Sequence, residues 1–175
     1  MELEKRIFFV TGGSRSGKSA YAQKLAERWE GRLLYVATAE GRDEEMEKRI
    51  LKHREARGER WETLETPLDL VLAVERAKEY GGALIDCLTL WTSNLMERYG
   101  EDEASICGET DRFVTALRSS RARIVVVTGE VGLGIVPADP YTRRFRDLAG
   151  IINQKVCAAA DSAYLIVAGR GLPLE

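Results

Sequence analysis

The sequence predicts an α/β domain with a mostly parallel central sheet flanked by helices. Three observations predict it. Five short apolar runs recur along the chain, helix-period segments separate them, and a glycine-rich motif lies between the first run and the first helical segment. Continuous apolar runs suit strands covered on both faces, as in a parallel sheet. Strand and helix in alternation imply right-handed crossovers.

The runs are Ile7–Val10, Leu33–Ala37, Ala83–Ile85, Ile124–Val127 and Tyr164–Val167. After Ser19, the residues Ala22, Leu25, Ala26 and Trp29 share one helix face, and Gly31 is placed to end that helix. Asp43 to about Arg57 reads as a second helix. Pro67 opens a third at the first helical position, with Leu68, Val71 and Leu72 apolar. Leu88–Tyr99 and Asp111–Arg118 follow, split by the polar stretch Gly100–Glu109, and Tyr141 to about Ala160 is last. No long linker divides the chain, so residues 1–175 are expected to form one domain.

Composition narrows the function classes. Lys plus Arg is 26 and Asp plus Glu is 28, a formal charge of −2, which is not the basic excess of a general nucleic-acid binder. No apolar run approaches the roughly 20 residues a membrane helix needs. The opening MELEKRIFFV lacks the h-region and cleavage site of a signal peptide, so the expected compartment is the cytoplasm. Cys87, Cys107 and Cys157 are widely spaced with no CxxC, which argues against a disulfide scaffold or a zinc site.

Gly12-Gly13-Ser14-Arg15-Ser16-Gly17-Lys18-Ser19 fits G-x-x-x-x-G-K-[ST]. Such glycines let backbone N–H groups close on phosphate oxygens, and the following helix points its positive dipole end at them. Lys18 would reach the β and γ phosphates and the Ser19 hydroxyl would ligate Mg²⁺. Strand, motif and helix in that order distinguish the loop from a chance glycine-rich turn. The expected fold is a P-loop NTPase of the RecA-like kind. Arg15 is either a phosphate contact or a solvated side chain.

Asp86 ends an apolar strand and has two readings, a second Mg²⁺ ligand or a cap of the next helix. Glu130 is another acid beyond a strand's C-terminal end, the edge where open α/β sheets collect ligands. His53, the single histidine, falls in one stripe with Arg49 and Arg57, beside Met46 and Ile50. It is either a partly buried histidine on an apolar face or a phosphate-gripping one. Two neighbouring cations would lower its pKa and favour the neutral, nucleophilic imidazole.

Taken together these motifs resemble the bifunctional adenosylcobinamide kinase / adenosylcobinamide-phosphate guanylyltransferase family of cobalamin biosynthesis, nearly end to end. The matching segments are Thr11–Ser19, Tyr35–Ala39, Glu45-Met46 with Arg49-Ile50, His53, Arg57 and Trp61, then Asp86–Leu90 with Asn94. Further on come Glu130–Pro137, Phe145–Asp147 with Gly150, Asn153 and Gln154, and Ala160-Asp161. Where many relatives carry Asn before the Glu-Val-Gly run, this chain has Gly129.

The resemblance implies a two-step enzyme. One activity phosphorylates adenosylcobinamide with ATP or GTP. The other transfers GMP from GTP, through a guanylylated histidine matching His53, to adenosylcobinamide phosphate. It places nucleotide contacts on Gly12 to Ser19, on Ala37, Thr38 and Ala39, on Arg54, Glu55, Ala56 and Arg57, and on Glu65 and Asp86. It further implies a homotrimer. The competing readings are a P-loop small-molecule kinase with no covalent intermediate, a nucleotide-binding switch module, and a motor ATPase.

Overall fold

The computed structural model describes residues 5–40 and 57–175. Within them the elements are β1 (Ile7–Gly12), α1 (Lys18–Ala26), β2 (Leu33–Ala37), β3 (Trp61–Glu65), α2 (Leu70–Ala77), β4 (Gly82–Asp86), α3 (Leu88–Tyr99), α4 (Glu103–Ser119), β5 (Ile124–Val127), α5 (Pro140–Cys157), β6 (Ser162–Val167) and β7 (Arg170–Leu174). The strands form one sheet in the order β3-β2-β4-β5-β1-β6-β7. Every neighbouring pair is parallel except β6 with β7.

All five expected runs are strands, and period-two alternation sends their side chains to opposite faces. Phe9, Leu34, Val36, Ile85 and Val126 pack on one face with side chains of α2 to α5. Val10, Tyr35, Leu84, Val125 and Val127 pack on the other with Ala22 and Ala26 of α1. Both faces being covered, the strands read as unbroken apolar runs rather than alternating ones.

Two strands were not legible as runs. β3, Trp-Glu-Thr-Leu-Glu, is a half-buried edge strand that, among the described residues, pairs only with β2. β7 contains Gly171 and Pro173 and is exposed throughout. It returns from β6 through Ala168 (φ 50°) and Gly169 (φ 78°), a two-residue hairpin turn with both central residues left-handed. Val167 faces Arg170 across that turn, so pair alternation puts Pro173 at a non-hydrogen-bonded position opposite Tyr164, where its missing N–H costs no ladder bond.

Helix boundaries also differ from expectation. α1 ends at Ala26, and tight turns donating Arg28 N–H to Leu25 O and Trp29 N–H to Ala26 O carry the chain on to Gly31. α2 begins at Leu70, not at Pro67, because the Asp69 carboxylate caps it by accepting from Leu72 N–H at 2.9 Å. Pro67 stays outside and its carbonyl accepts from Asn94. α4 runs from Glu103, through most of the stretch expected as a break. Asp102 caps it, accepting from Ser105 N–H and Oγ, and buried Ile106 and Thr110 lie under its polar outer face. Arg57 lies in a bend.

Candidate nucleotide site

The register aligns the C-terminal ends of the strands. Glu65 pairs with Ala37, Ala37 with Asp86, Asp86 with Val127, and Val127 with Val10. A single row thus leads from the edge strand β3 to the strand that enters the glycine-rich loop. Neighbouring strands lie about 4.8 Å apart, so the row spans roughly 19 Å. Above it opens a cavity of about 640 Å³.

The phosphate loop forms one wall. Gly12 has no room for a side chain, since an added Cβ would stand 2.6 Å from the Ile166 carbonyl oxygen. Gly17 caps α1 with φ 92°, a conformation that disfavours L side chains. Ser16 O accepts from Gly169 N–H at 2.8 Å, so the β6–β7 turn braces the loop from behind. Lys18 Nζ donates to Gly13 O at 3.1 Å. Ser16 Oγ is buried without a hydrogen-bond partner among the described residues, and a Cβ on Gly12 would stand 2.7 Å from it.

The opposite wall carries Asp86. Cys87, not Asp86, is the N-cap residue of α3, and that cap has no side-chain hydrogen bond. Helix capping therefore does not account for the acid. Its Oδ2 accepts from Tyr35 O–H at 3.1 Å. The Arg57 guanidinium lies 3.5 Å from the centre of the Tyr35 ring, and its Nη2 is 3.5 Å from Thr63 Oγ1. Burial, then the Asp86 carboxylate, push the Tyr35 phenol well above the ordinary range, with Arg57 acting in the opposite sense. It stays a protonated donor. Burial and then Asp86 likewise push the Cys87 thiol up to about 11.

Of the residues expected to contact nucleotide, Gly12, Ser14, Arg15, Ser16, Gly17, Lys18, Ser19, Ala37, Ala39, Arg57, Glu65 and Asp86 line the cavity together. Gly13 and Thr38 do not. Thr38 is fully buried, and its Oγ1 both donates to Cys87 O and accepts from Cys87 N–H, each at 2.8 Å. It locks β2 to the turn after β4. His53, Arg54, Glu55, Ala56 and the stripe partner Arg49 lie outside the described residues.

Tyr35, Thr63, Thr89 and Val131 also line the cavity and were not singled out as contacts. Tyr35 had a signal: it stands two residues before Ala37, on the same side of the strand. Gly129 packs so closely that a Cβ would meet Thr89 Oγ1 at 2.9 Å. Its N–H donates to that oxygen at 2.6 Å.

Mg²⁺ is held by hard oxygen ligands, commonly one or two carboxylates and a hydroxyl plus substrate phosphates. Ser19 and Asp86 on one cavity supply such a set. No cluster of three His, Cys, Asp or Glu side chains among the described residues makes a self-contained metal cage. The donor set fits an ion shared with a nucleotide.

Comparison with known proteins adds to this geometry. The family described as cobinamide kinase / cobinamide phosphate guanyltransferase matches residues 8–174. The chain is 38% identical over 167 residues to the bifunctional adenosylcobalamin biosynthesis protein CobP of Pseudomonas aeruginosa, covering 95% of each chain. It is 38% identical over 183 residues to the bifunctional adenosylcobalamin biosynthesis protein CobU of Escherichia coli K12, covering 97% of this chain and 99% of that one. The Salmonella typhimurium LT2 protein of the same name is 36% identical over 97% of this chain and 99% of its own. Among solved structures, the P4 protein of bacteriophage phi6 in complex with ADP aligns with a TM-score of 0.43 at 17% identity, over 96% of this chain and 54% of that one.

Proposed function

The chain belongs to the cobinamide kinase / cobinamide phosphate guanyltransferase family, and from that premise we propose that it performs both reactions on one P-loop site. It phosphorylates adenosylcobinamide with ATP or GTP, and it passes GMP from GTP through His53 to adenosylcobinamide phosphate. The observation that carries this reading is the meeting of Lys18, Ser19, Asp86 and Arg57 on a cavity large enough for a nucleotide.

In the kinase step the acceptor hydroxyl oxygen bonds to the γ-phosphorus as the bond to the β–γ bridging oxygen breaks. In guanylylation the lone pair of a neutral His53 nitrogen bonds to the α-phosphorus as pyrophosphate leaves with the electron pair of the broken bond, and the ring keeps its other N–H proton, so it can depart as neutral imidazole. An oxygen of the acceptor phosphate then displaces the imidazole. Lys18 and the loop N–H groups stabilise charge on the departing phosphates, and Arg57, which lines the same cavity, neutralises the α-phosphate oxygens. Ser19 and Asp86 would hold a Mg²⁺ ion, which would supply further neutralisation of phosphate charge. Glu65, at the far end of the row, suits the base and ribose end.

The remaining parts of the reading are a single domain over residues 1–175, a homotrimer and a cytoplasmic location. The described strands form one sheet. Ile135 is 96% exposed and Leu133 82%, apolar surface suited to a partner subunit. No helix among the described residues is long and apolar enough to cross a membrane.

The test is incubation with α-labelled GTP. The expected adduct is acid-labile and base-stable on His53, and it is lost in His53→Ala while kinase activity partly survives. Lys18→Ala is expected to impair both reactions. Undiminished labelling of His53→Ala overturns the covalent step.

A further inference from the structure

We propose that Glu130 is the general base of the kinase step and has no proton to take in guanylyl transfer. The proposal rests on the bifunctional reading above.

The chemistry separates the two reactions. The kinase acceptor is a hydroxyl, which must lose its proton as it attacks phosphorus. A neutral imidazole attacks through its lone pair, and the acceptor in GMP transfer is a phosphate already ionised at neutral pH. Only the first reaction needs a carboxylate at the attacking oxygen.

Three described carboxylates line the cavity: Glu65, Asp86 and Glu130. Glu65 ends the edge strand β3, four strand spacings from β1, about 19 Å from the phosphate loop's own strand. Asp86 accepts from Tyr35 and is the carboxylate assigned to the metal. Glu130 follows β5, the strand between β1 and β4, so its loop rises between the phosphate loop and Asp86. Its own N–H donates to Gly12 O at 3.0 Å, tying it to the first residue of the phosphate loop.

The carboxylate is held as well as placed. Glu130 Oε1 accepts from Gly132 N–H at 3.0 Å, the one hydrogen bond to this carboxylate among the described residues, which leaves Oε2 to accept from a substrate hydroxyl. Behind it, Asn153 Nδ2 donates to Gly129 O at 3.2 Å, and Asn153 Oδ1 accepts from Thr128 Oγ1 at 2.8 Å. Thr89 Oγ1 accepts from Gly129 N–H. These bonds fix the backbone on which the base stands.

The step balances. The hydroxyl proton moves to Glu130 as the oxygen–γ-phosphorus bond forms. The nucleoside diphosphate leaves with the electron pair of the broken bridge, and Glu130 releases its proton to water after product departure.

The experiment uses the full chain and its Glu130→Gln and Glu130→Asp variants. Phosphoryl transfer from γ-labelled ATP to adenosylcobinamide is measured beside GMP uptake from α-labelled GTP. For Glu130→Gln, kcat of the kinase is expected to fall by about 10²–10³, with KM for ATP within about threefold and the acid limb of the kinase pH profile gone. The ratio of kinase to guanylylation rate is expected to fall at least about tenfold. Glu130→Asp is expected to keep the acid limb at a reduced kcat. Equal loss of both activities points to a structural or metal-holding role and overturns the assignment, as does a kinase rate close to that of the unaltered chain. If the unaltered chain takes up GMP but transfers no γ-phosphoryl group, or the reverse, the bifunctional reading falls independently of Glu130.

Discussion

Tyr35 and Asp86 face each other from adjacent strands, and the phenol donates to the carboxylate at 3.1 Å while Arg57 stacks 3.5 Å over the same ring. The tyrosine thus stands between a cation at the border of the described residues and the acid assigned to the metal. Its ring also meets Trp61 edge-on at 6.3 Å, so the ring has little freedom to turn. It links the part of the chain that follows His53 to the phosphate end of the cavity.

Tyr35→Phe removes the donor and keeps the ring. The carboxylate of Asp86 then lacks a partner that it holds in the native state. The expected loss of stability is about 1–3 kcal/mol, read as a shift in urea midpoint without change in slope. A variant as stable as the parent would mean that this hydrogen bond contributes nothing net.

The same residue sets a pH dependence at the alkaline side. Burial and the Asp86 carboxylate raise the folded-state pKa above the unfolded value of about 10. A raised pKa means that the folded state keeps its proton when the unfolded chain loses it. The contribution is therefore complete below about pH 10 and declines as pH rises toward the folded value. Unfolding free energies measured from pH 8 to 11 should fall more steeply for the parent than for Tyr35→Phe. In the native state the two should give overlapping phenolate absorbance up to pH 11.

Much of the site was legible because its chemistry is local in sequence. Gly12 to Ser19 are contiguous, and Asp86 closes an apolar run, so strand order alone brings them to one edge. Glu130 was legible as an acid beyond a strand end, and only the order β4-β5-β1 reveals that it stands beside the phosphate loop. The edge strands were less visible for a physical reason. β3 is half-buried and β7 fully exposed, so neither needs an apolar run, and β7 owes its place to the Ala168–Gly169 turn. The start of α4 was hidden because only Ile106 and Thr110 of its first two turns reach the core, while Asp102 supplies a cap rather than a break.

Cys87 offers a chemical check on burial at the cavity wall. With its pKa pushed up to about 11 against an ordinary 9.0, its thiolate fraction at pH 8 falls about 10²-fold. Alkylation by iodoacetamide at pH 8 should be slower at Cys87 than at the same residue in the urea-unfolded chain by about that factor, and should accelerate as pH approaches 11. Peptide mapping by mass spectrometry separates it from Cys107 and Cys157. Native labelling at the unfolded rate would show that the cavity wall admits water and reagent at this position.

Two loop glycines provide an internal contrast. Gly17 sits at φ 92°, and a Cβ there would stand 3.1 Å from Gly169 Cα, a backbone atom of the turn that braces the loop. Gly13 has nothing among the described residues within 4 Å of an added Cβ. Gly17→Ala combines left-handed strain with displacement of the β6–β7 turn, whose Gly169 N–H bonds to Ser16 O. The expected cost is about 1–3 kcal/mol, together with weaker nucleotide binding, because the loop N–H groups shift with the turn. Gly13→Ala should change stability by no more than about 0.5 kcal/mol. Thermal or urea unfolding of the pair decides the matter. Equal stability of the two variants would mean that the hairpin turn does not brace the phosphate loop.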